Sequence, residues 1–161
     1  MLAPARPRSP LLDLRTAHGL ALLVPAALLA GAIGSQLIGG LVPCEMCIWQ
    51  RWPHAIAIAL ALLAIPLARL RRPLVLLAGL AIAVSGGIGV YHAGVELGWF
   101  EGLTRCASNS GGTLAELVSA PVVRCDSVQW SLLGISMAGW NAILSLAAAG
   151  LVLVGGMKGR A

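Results

Sequence analysis

The sequence predicts an all-α integral membrane protein, a four-transmembrane-helix bundle with one long outer loop. Three observations lead there. The 161-residue chain is 58% hydrophobic and only 11% charged, against about 25% charged residues in a typical soluble domain. Its charges are clustered, leaving uncharged windows at 16–44, 52–68, 73–95 and 127–157, and each window reaches the roughly 17 residues a helix needs to cross a bilayer core. The windows are also apolar all round, whereas a soluble bundle needs polar outer faces. A cleaved signal peptide does not account for the first window, which outruns an apolar stretch of roughly 7–15 residues and is followed by three more.

The helices are expected at about 20–41, 49–67, 74–91 and 132–154, in a single membrane domain over 1–161 with an outer loop at about 92–131. Small residues recur inside them, among them Gly31, Gly34, Gly79, Gly86, Gly87 and Gly139, and small faces let membrane helices approach closely. Trp49, Trp52, Trp99 and Trp130 fall near the expected outer boundary, as members of an aromatic belt would. Asn141 lies inside the last helix, where an amide facing lipid would lack partners. It is expected to face other helices in a structural hydrogen bond. In the loop, TLAELVSAP at 113–121 carries apolar residues at helical spacing and ends on Pro121, which fits a short helix lying on the membrane surface.

Sidedness follows from the basic residues. With the N-terminus inside, Arg6, Arg8, Arg15, Arg69, Arg71, Arg72, Lys158 and Arg160 are cytoplasmic, while Arg51, Arg105 and Arg124 share the outer side with Glu45, Glu96, Glu101, Glu116 and Asp126. The net charge of +5 is therefore an orientation signal. It forms no single basic face of the kind that nucleic acid would require. The same orientation places Cys44, Cys47, Cys106 and Cys125 outside, where paired cysteines usually form disulfides.

Three chemistries compete for these cysteines. Zinc sites favour two closely spaced knuckles, but Cys106 and Cys125 are far apart in sequence, so no metal is expected. Haem attachment needs a histidine where Ile48 stands. Structural disulfides and a redox dithiol both stay open. The surroundings of the first pair favour the second. In PCEMCIWQR at 43–51, a helix starting near Cys44 would stack Cys44, Cys47 and Arg51 on one face. A helix N-terminus and a guanidinium both stabilise thiolate, which a structural disulfide does not use. Such an exchange centre needs an electron acceptor, and the chain carries no flavin, nicotinamide or haem motif. The acceptor available inside a bilayer is a quinone. His54, His92 and Glu96 are then candidates to hydrogen-bond it or relay protons, although polar residues capping helices at the interface would give the same pattern.

These stretches, with YHAGVELGW at 91–99, Cys106 and CDSVQWSLLGISMAGWN at 125–141, resemble the DsbB family of bacterial disulfide bond formation proteins. The resemblance covers nearly the whole chain. It implies a protein of the bacterial inner membrane that reoxidises a periplasmic DsbA-like thioredoxin-fold partner and passes the electrons to ubiquinone or menaquinone. Both termini would be cytoplasmic and the cysteines periplasmic. It further implies that Cys106 is attacked by the partner and that Cys125 pairs with Cys106 at rest. Cys44 would link transiently to Cys125, and Cys47 would face the quinone. Arg51 and His92 match positions at the quinone ring. A proton-relay role for Glu96 is an expectation beyond the resemblance. A vitamin K epoxide reductase-like protein is the enzymatic alternative, but its loop cysteines precede the Cys-x-x-Cys and here they follow it. A membrane scaffold with two structural disulfides is the non-enzymatic one.

Overall fold

A computed structural model describes residues 13–103 and 124–158. Cys106 and the surface helix expected at 113–121 lie outside the described residues. The elements are α1 (Leu14–Leu37), α2 (Glu45–Leu63), a single 3₁₀ turn (Ala68–Leu70), α3 (Arg71–Glu96), a two-stranded hairpin of β1 (Ser131–Leu132) and β2 (Ile135–Ser136), and α4 (Met137–Lys158). All of the α-helices are long and apolar enough to span a membrane.

The helix ends depart from the expected ones for identifiable reasons. α1 starts earlier because Asp13 caps it, its Oδ1 accepting the Thr16 N–H at 2.7 Å. That bonding holds the Asp13 carboxyl below its ordinary range. α2 starts at Glu45 because Cys44 itself is the N-cap, its Sγ accepting the Cys47 N–H at 3.2 Å. α3 continues past Tyr91 and carries His92 and Glu96 in its last turns. It ends where Gly98 takes φ 73°, with Trp99 N–H returning to Gly94 C=O at 2.8 Å and Gly98 N–H to Val95 C=O at 3.1 Å. This is a Schellman closure, which favours glycine at the left-handed position. α4 starts later than 132 because Ser131–Ser136 form the hairpin. Leu133 and Gly134 both have positive φ at its two-residue turn, the geometry that suits strand twist. Ser136 then caps α4, its Oγ accepting the Gly139 N–H at 3.1 Å.

Helix packing rests on small side chains. The buried centre is built largely from alanines, including Ala17, Ala21, Ala57, Ala61 and Ala78, with Val75 and Ile82. Leucines and isoleucines such as Leu23, Ile56 and Leu80 are exposed at the outside, as a lipid-facing surface requires. α3 and α4 approach closely at Gly86 and Gly89. A Cβ at Gly89 would lie 3.0 Å from the Ala142 backbone nitrogen, and one at Gly86 would lie 2.8 Å from Leu146. At Gly31, Gly34 and Gly87, by contrast, an added Cβ meets nothing within 4 Å, so those glycines are not packing contacts.

One end of the bundle is basic. Arg72 donates to the carbonyls of Gly156 and Met157, at 3.1 and 2.8 Å, and so caps the C-terminus of α4. Gly155 packs beside Ala17 at the same end. The opposite end holds Cys44, His92 and Cys125.

Candidate functional site: a dithiol at the mouth of an intramembrane cavity

Cys44 is fixed as a helix cap and Cys47 by the first turn of α2, so the sulfurs fall side by side, 2.8 Å apart. Cys44 is only 3% exposed. Cys125, from the segment before the hairpin, is buried in the same cluster, with Met46 and Val95. The residues flanking it, Arg124 and Asp126, pair with each other in a fork whose Nε–Oδ1 arm is 2.9 Å. The two groups strengthen each other's charge: Asp126 is held below its ordinary range and Arg124 above its own.

Cys44, Cys47, Arg51, His54, His92 and Glu96 all line one cavity of about 670 Å³. Its walls come from α1, α4 and the segment at 124–132 as well as from α2 and α3. The structure therefore brings together the polar residues singled out from sequence, although each behaves in its own way. Arg51 shares the helix face of the cysteines, but its guanidinium reaches across to α1. Nη1 donates to Gln36 Oε1 at 2.9 Å and Nη2 to the Ala32 carbonyl at 3.1 Å. This anchoring holds the charge over the cavity. His92 Nε2 lies 3.6 Å from Cys44 Sγ and 3.8 Å from Glu96 Oε1. His54 sits deeper, with Nε2 at 2.9 Å from both Asn141 Oδ1 and Ser85 Oγ.

Sequence reasoning missed what joins these groups. Gln50, 6% exposed, donates from Nε2 to His92 Nδ1 at 2.8 Å and to the Met46 carbonyl at 3.2 Å. Its Oε1 accepts from Asn141 Nδ2 at 2.7 Å. Ser85 donates to the Gln50 carbonyl at 2.8 Å, and Ser145 to Asn141 Oδ1 at 3.0 Å. A continuous polar chain thus runs from Cys44 through His92, Gln50 and Asn141 to His54, across three helices. Asn141 faces other helices as expected, but as a link in this chain rather than one isolated bond. Gln50 carried the only available sequence signal: a polar residue in the first turns of an otherwise apolar helix, adjacent to Arg51.

The donor atoms of Cys44, Cys47 and His92 lie within 4.8 Å of one another, close enough for a soft metal ion. The hydrogen bonding does not suit coordination. With the Gln50 N–H on Nδ1, neutral His92 carries its proton on Nε2, the nitrogen a metal would need bare. The site is arranged for donating a hydrogen bond to sulfur.

Residues 14–155 match the family described as "Disulfide bond formation protein DsbB". The chain is 36% identical over 150 residues to a disulfide bond formation protein B of Methylococcus capsulatus, covering 82% of this chain and 87% of that one. It is 31% identical over 154 residues to one from Xanthomonas oryzae pv. oryzae, covering 88% and 89%. An uncharacterized protein of Rickettsia prowazekii is 26% identical over 126 residues, 73% of each chain. No solved structure matches the chain. Four membrane-length helices and a Cys-x-x-Cys centre agree with that assignment: the chain belongs to the DsbB family, as a multi-pass membrane oxidoreductase of disulfide bond formation.

Proposed function

We propose that this protein oxidises a DsbA-like thioredoxin-fold partner on the periplasmic side of the bacterial inner membrane and passes the electrons to a membrane quinone, ubiquinone or menaquinone. The observation that carries this reading is the cavity itself. It joins the dithiol to residues with unsatisfied polar atoms, and it continues into an apolar groove. Arg51 Nε, His54 Nδ1 and Glu96 Oε2 are buried without a partner among the described residues, and all three residues line the cavity. Buried polar atoms are rarely left unpaired unless a ligand or water completes them. A second cavity of about 320 Å³, lined only by apolar side chains, shares Ala27, Leu28 and Leu144 with the first and runs along α1 and α4. The first space has the polar atoms a quinone ring would need, and the second has the apolar lining for the first units of its isoprenoid tail.

A quinone bound there would supply a sink for two electrons and two protons. The chain's own residues do the rest. Reduction of the Cys44–Cys47 disulfide leaves two thiols, and its re-formation releases two protons and two electrons toward the cavity. Arg51 provides fixed positive charge for an oxygen that gains electron density. His92 holds a proton on Nε2 between Cys44 and Glu96, so Glu96 is placed to exchange protons with it. Burial of Cys125 beside Cys44 supports transfer between the two pairs, with Cys106 as the residue that captures the partner. The basic end of the bundle, at Arg15, Arg72 and Lys158, supports a cytoplasmic location for both termini.

Arg51→Ala tests the pocket. It should raise the quinone concentration needed for half-maximal turnover by about tenfold or more, while the rate of mixed-disulfide formation with reduced partner stays within about twofold. That split corresponds to about 1.4 kcal/mol of lost quinone interaction per tenfold change. Equal loss of both rates in a folded variant would remove Arg51 from the pocket. Cys125→Ala should accumulate a partner adduct on Cys106. An adduct on Cys44 instead would reverse the assigned entry point.

A further inference from the structure

We propose that Gln50 is a positioning residue: it fixes the tautomer of His92 so that the imidazole donates Nε2–H to Cys44, and it thereby favours the Cys44 thiolate. This deepens the reading of Cys44–Cys47 as an exchanging pair and rests on it.

An amide side chain has two different ends, and two backbone carbonyls determine which way these amides point. Gln50 Nε2 lies against the Met46 carbonyl at 3.2 Å, and Asn141 Nδ2 lies against the Ser85 carbonyl at 3.3 Å. A carbonyl only accepts, so both nitrogens must be where they are. The Asn141 N–H then meets Gln50 Oε1 at 2.7 Å, and the Ser145 hydroxyl completes Asn141 Oδ1 at 3.0 Å. What remains of Gln50 is one N–H, directed at His92 Nδ1 at 2.8 Å. That nitrogen must therefore offer its lone pair, and the proton of neutral His92 sits on Nε2. Nε2 faces Cys44 Sγ at 3.6 Å, with the Cys125 backbone also hydrogen-bonded to the ring and Glu96 Oε1 at 3.8 Å. The Cys47 backbone N–H is on the same sulfur at 3.2 Å. Two N–H donors thus converge on Cys44, which is almost fully buried, where water competes little.

The opposite tautomer would point a bare Nε2 at the sulfur and favour the thiol. When a thiolate attacks Cys125 in the transient Cys44–Cys125 bond, Cys44 is the leaving sulfur, the electron pair of the broken bond stays on it, and the N–H donors stabilise it. When the thiol ionises, its proton passes to solvent and the same donors hold the anion. Other titratable or charged groups near this point are Glu45, Cys47 and Arg51 on α2, Tyr91 and Glu96 on α3, and Arg124, Cys125 and Asp126 on the following segment. α1 and α4 contribute none at this end, since Arg15, His18 and Lys158 lie toward the other.

The test uses the full-length chain in detergent with Cys47, Cys106 and Cys125 replaced by serine, leaving Cys44 as its one thiol. Nitrogen NMR of the histidine rings, with His92 assigned by its loss in His92→Ala, should show Nε2 protonated and Nδ1 bare in the otherwise unaltered protein. Gln50→Met keeps the length and removes the donor. It should release His92 into a tautomer mixture and move the pH midpoint of Cys44 alkylation upward by about one unit, about tenfold less thiolate at neutral pH. In the His92→Ala background the same Gln50→Met change should move the midpoint by less than about a third of that. A proton on Nδ1 in the parent protein would overturn the proposal whether or not any variant folds. So would an unchanged midpoint in folded Gln50→Met, or a shift that persists without His92. None of these readouts involves quinone or partner, so their failure is distinct from failure of turnover.

Discussion

At the scale of single residues, the site depends on a few polar groups placed where lipid would otherwise lie. Cys44 is cap, nucleophile candidate and hydrogen-bond acceptor together, because its sulfur takes the Cys47 N–H that an uncapped helix would leave unpaired. That Cys44, Cys47 and Arg51 share one helix face was legible from spacing alone, whereas the place of Cys125 beside Cys44 was expected only from the family resemblance. Gln50, Ser85 and Ser145 were not: their significance comes from partners 35 to 91 positions away or from the amide they complete, and no local pattern encodes such contacts. This yields a residue-scale prediction. Asn141→Leu removes a side chain that serves Gln50, His54, Ser85 and Ser145 at once. Stranding buried polar groups costs about 1–3 kcal/mol each, so the variant should unfold at distinctly lower denaturant in a detergent titration. Asn141→Asp, which keeps the acceptor, should lie between it and the parent. The Arg124–Asp126 pair gives a pH prediction of known sign. The aspartate is held below its ordinary range, so the ion pair is complete above the unfolded aspartate range. It is lost only as pH falls through the lowered folded value. Carboxyl carbon NMR of Asp126 should accordingly show it ionised to lower pH than an ordinary aspartate, and Arg124→Gln should return it toward the ordinary range.

At the scale of elements, the number, type and approximate places of the helices were readable because length and hydropathy suffice for that. Their ends were not, because caps are made by particular atoms: Asp13 for α1, Cys44 for α2, the Gly98 closure for α3 and Ser136 for α4. Residues 132–136 of the hairpin read as helix in sequence because their apolar composition matches α4. Only the positive φ at Leu133 and Gly134 distinguishes it. The extension of α3 to Glu96 has a consequence for chemistry, since it sets His92 and Glu96 one turn apart on a rigid helix facing Cys44. The α3–α4 seam can be tested directly. Gly89→Ala places a Cβ 3.0 Å from the Ala142 nitrogen, with backbone rather than a flexible tip in the way. Overpacking of this kind costs about 1–3 kcal/mol. Gly87→Ala meets open space and should leave the unfolding midpoint unchanged. Equal behaviour of the two variants would mean that the seam does not bring Gly89 against α4.

At the scale of the whole molecule, the bundle is polarised. Basic side chains and the α4 cap by Arg72 occupy one end, and the described sulfurs, the cavity and the segment around Cys125 occupy the other. The apolar groove along α1 and α4 continues the cavity that the dithiol lines, and the proposed function uses the cavity for a lipid-borne oxidant. Family membership establishes disulfide bond formation in the membrane. The electron acceptor is the central claim added to it. The direct measurement mixes purified, oxidised protein with a reduced thioredoxin-fold partner under anaerobic conditions and follows quinone absorbance. One quinone should be reduced for each partner dithiol oxidised, with ubiquinone or menaquinone analogues, and the reaction should stop in Cys47→Ser. Partner oxidation limited to the protein's own disulfides, with neither quinone reduced while all four cysteines are intact, would contradict the account.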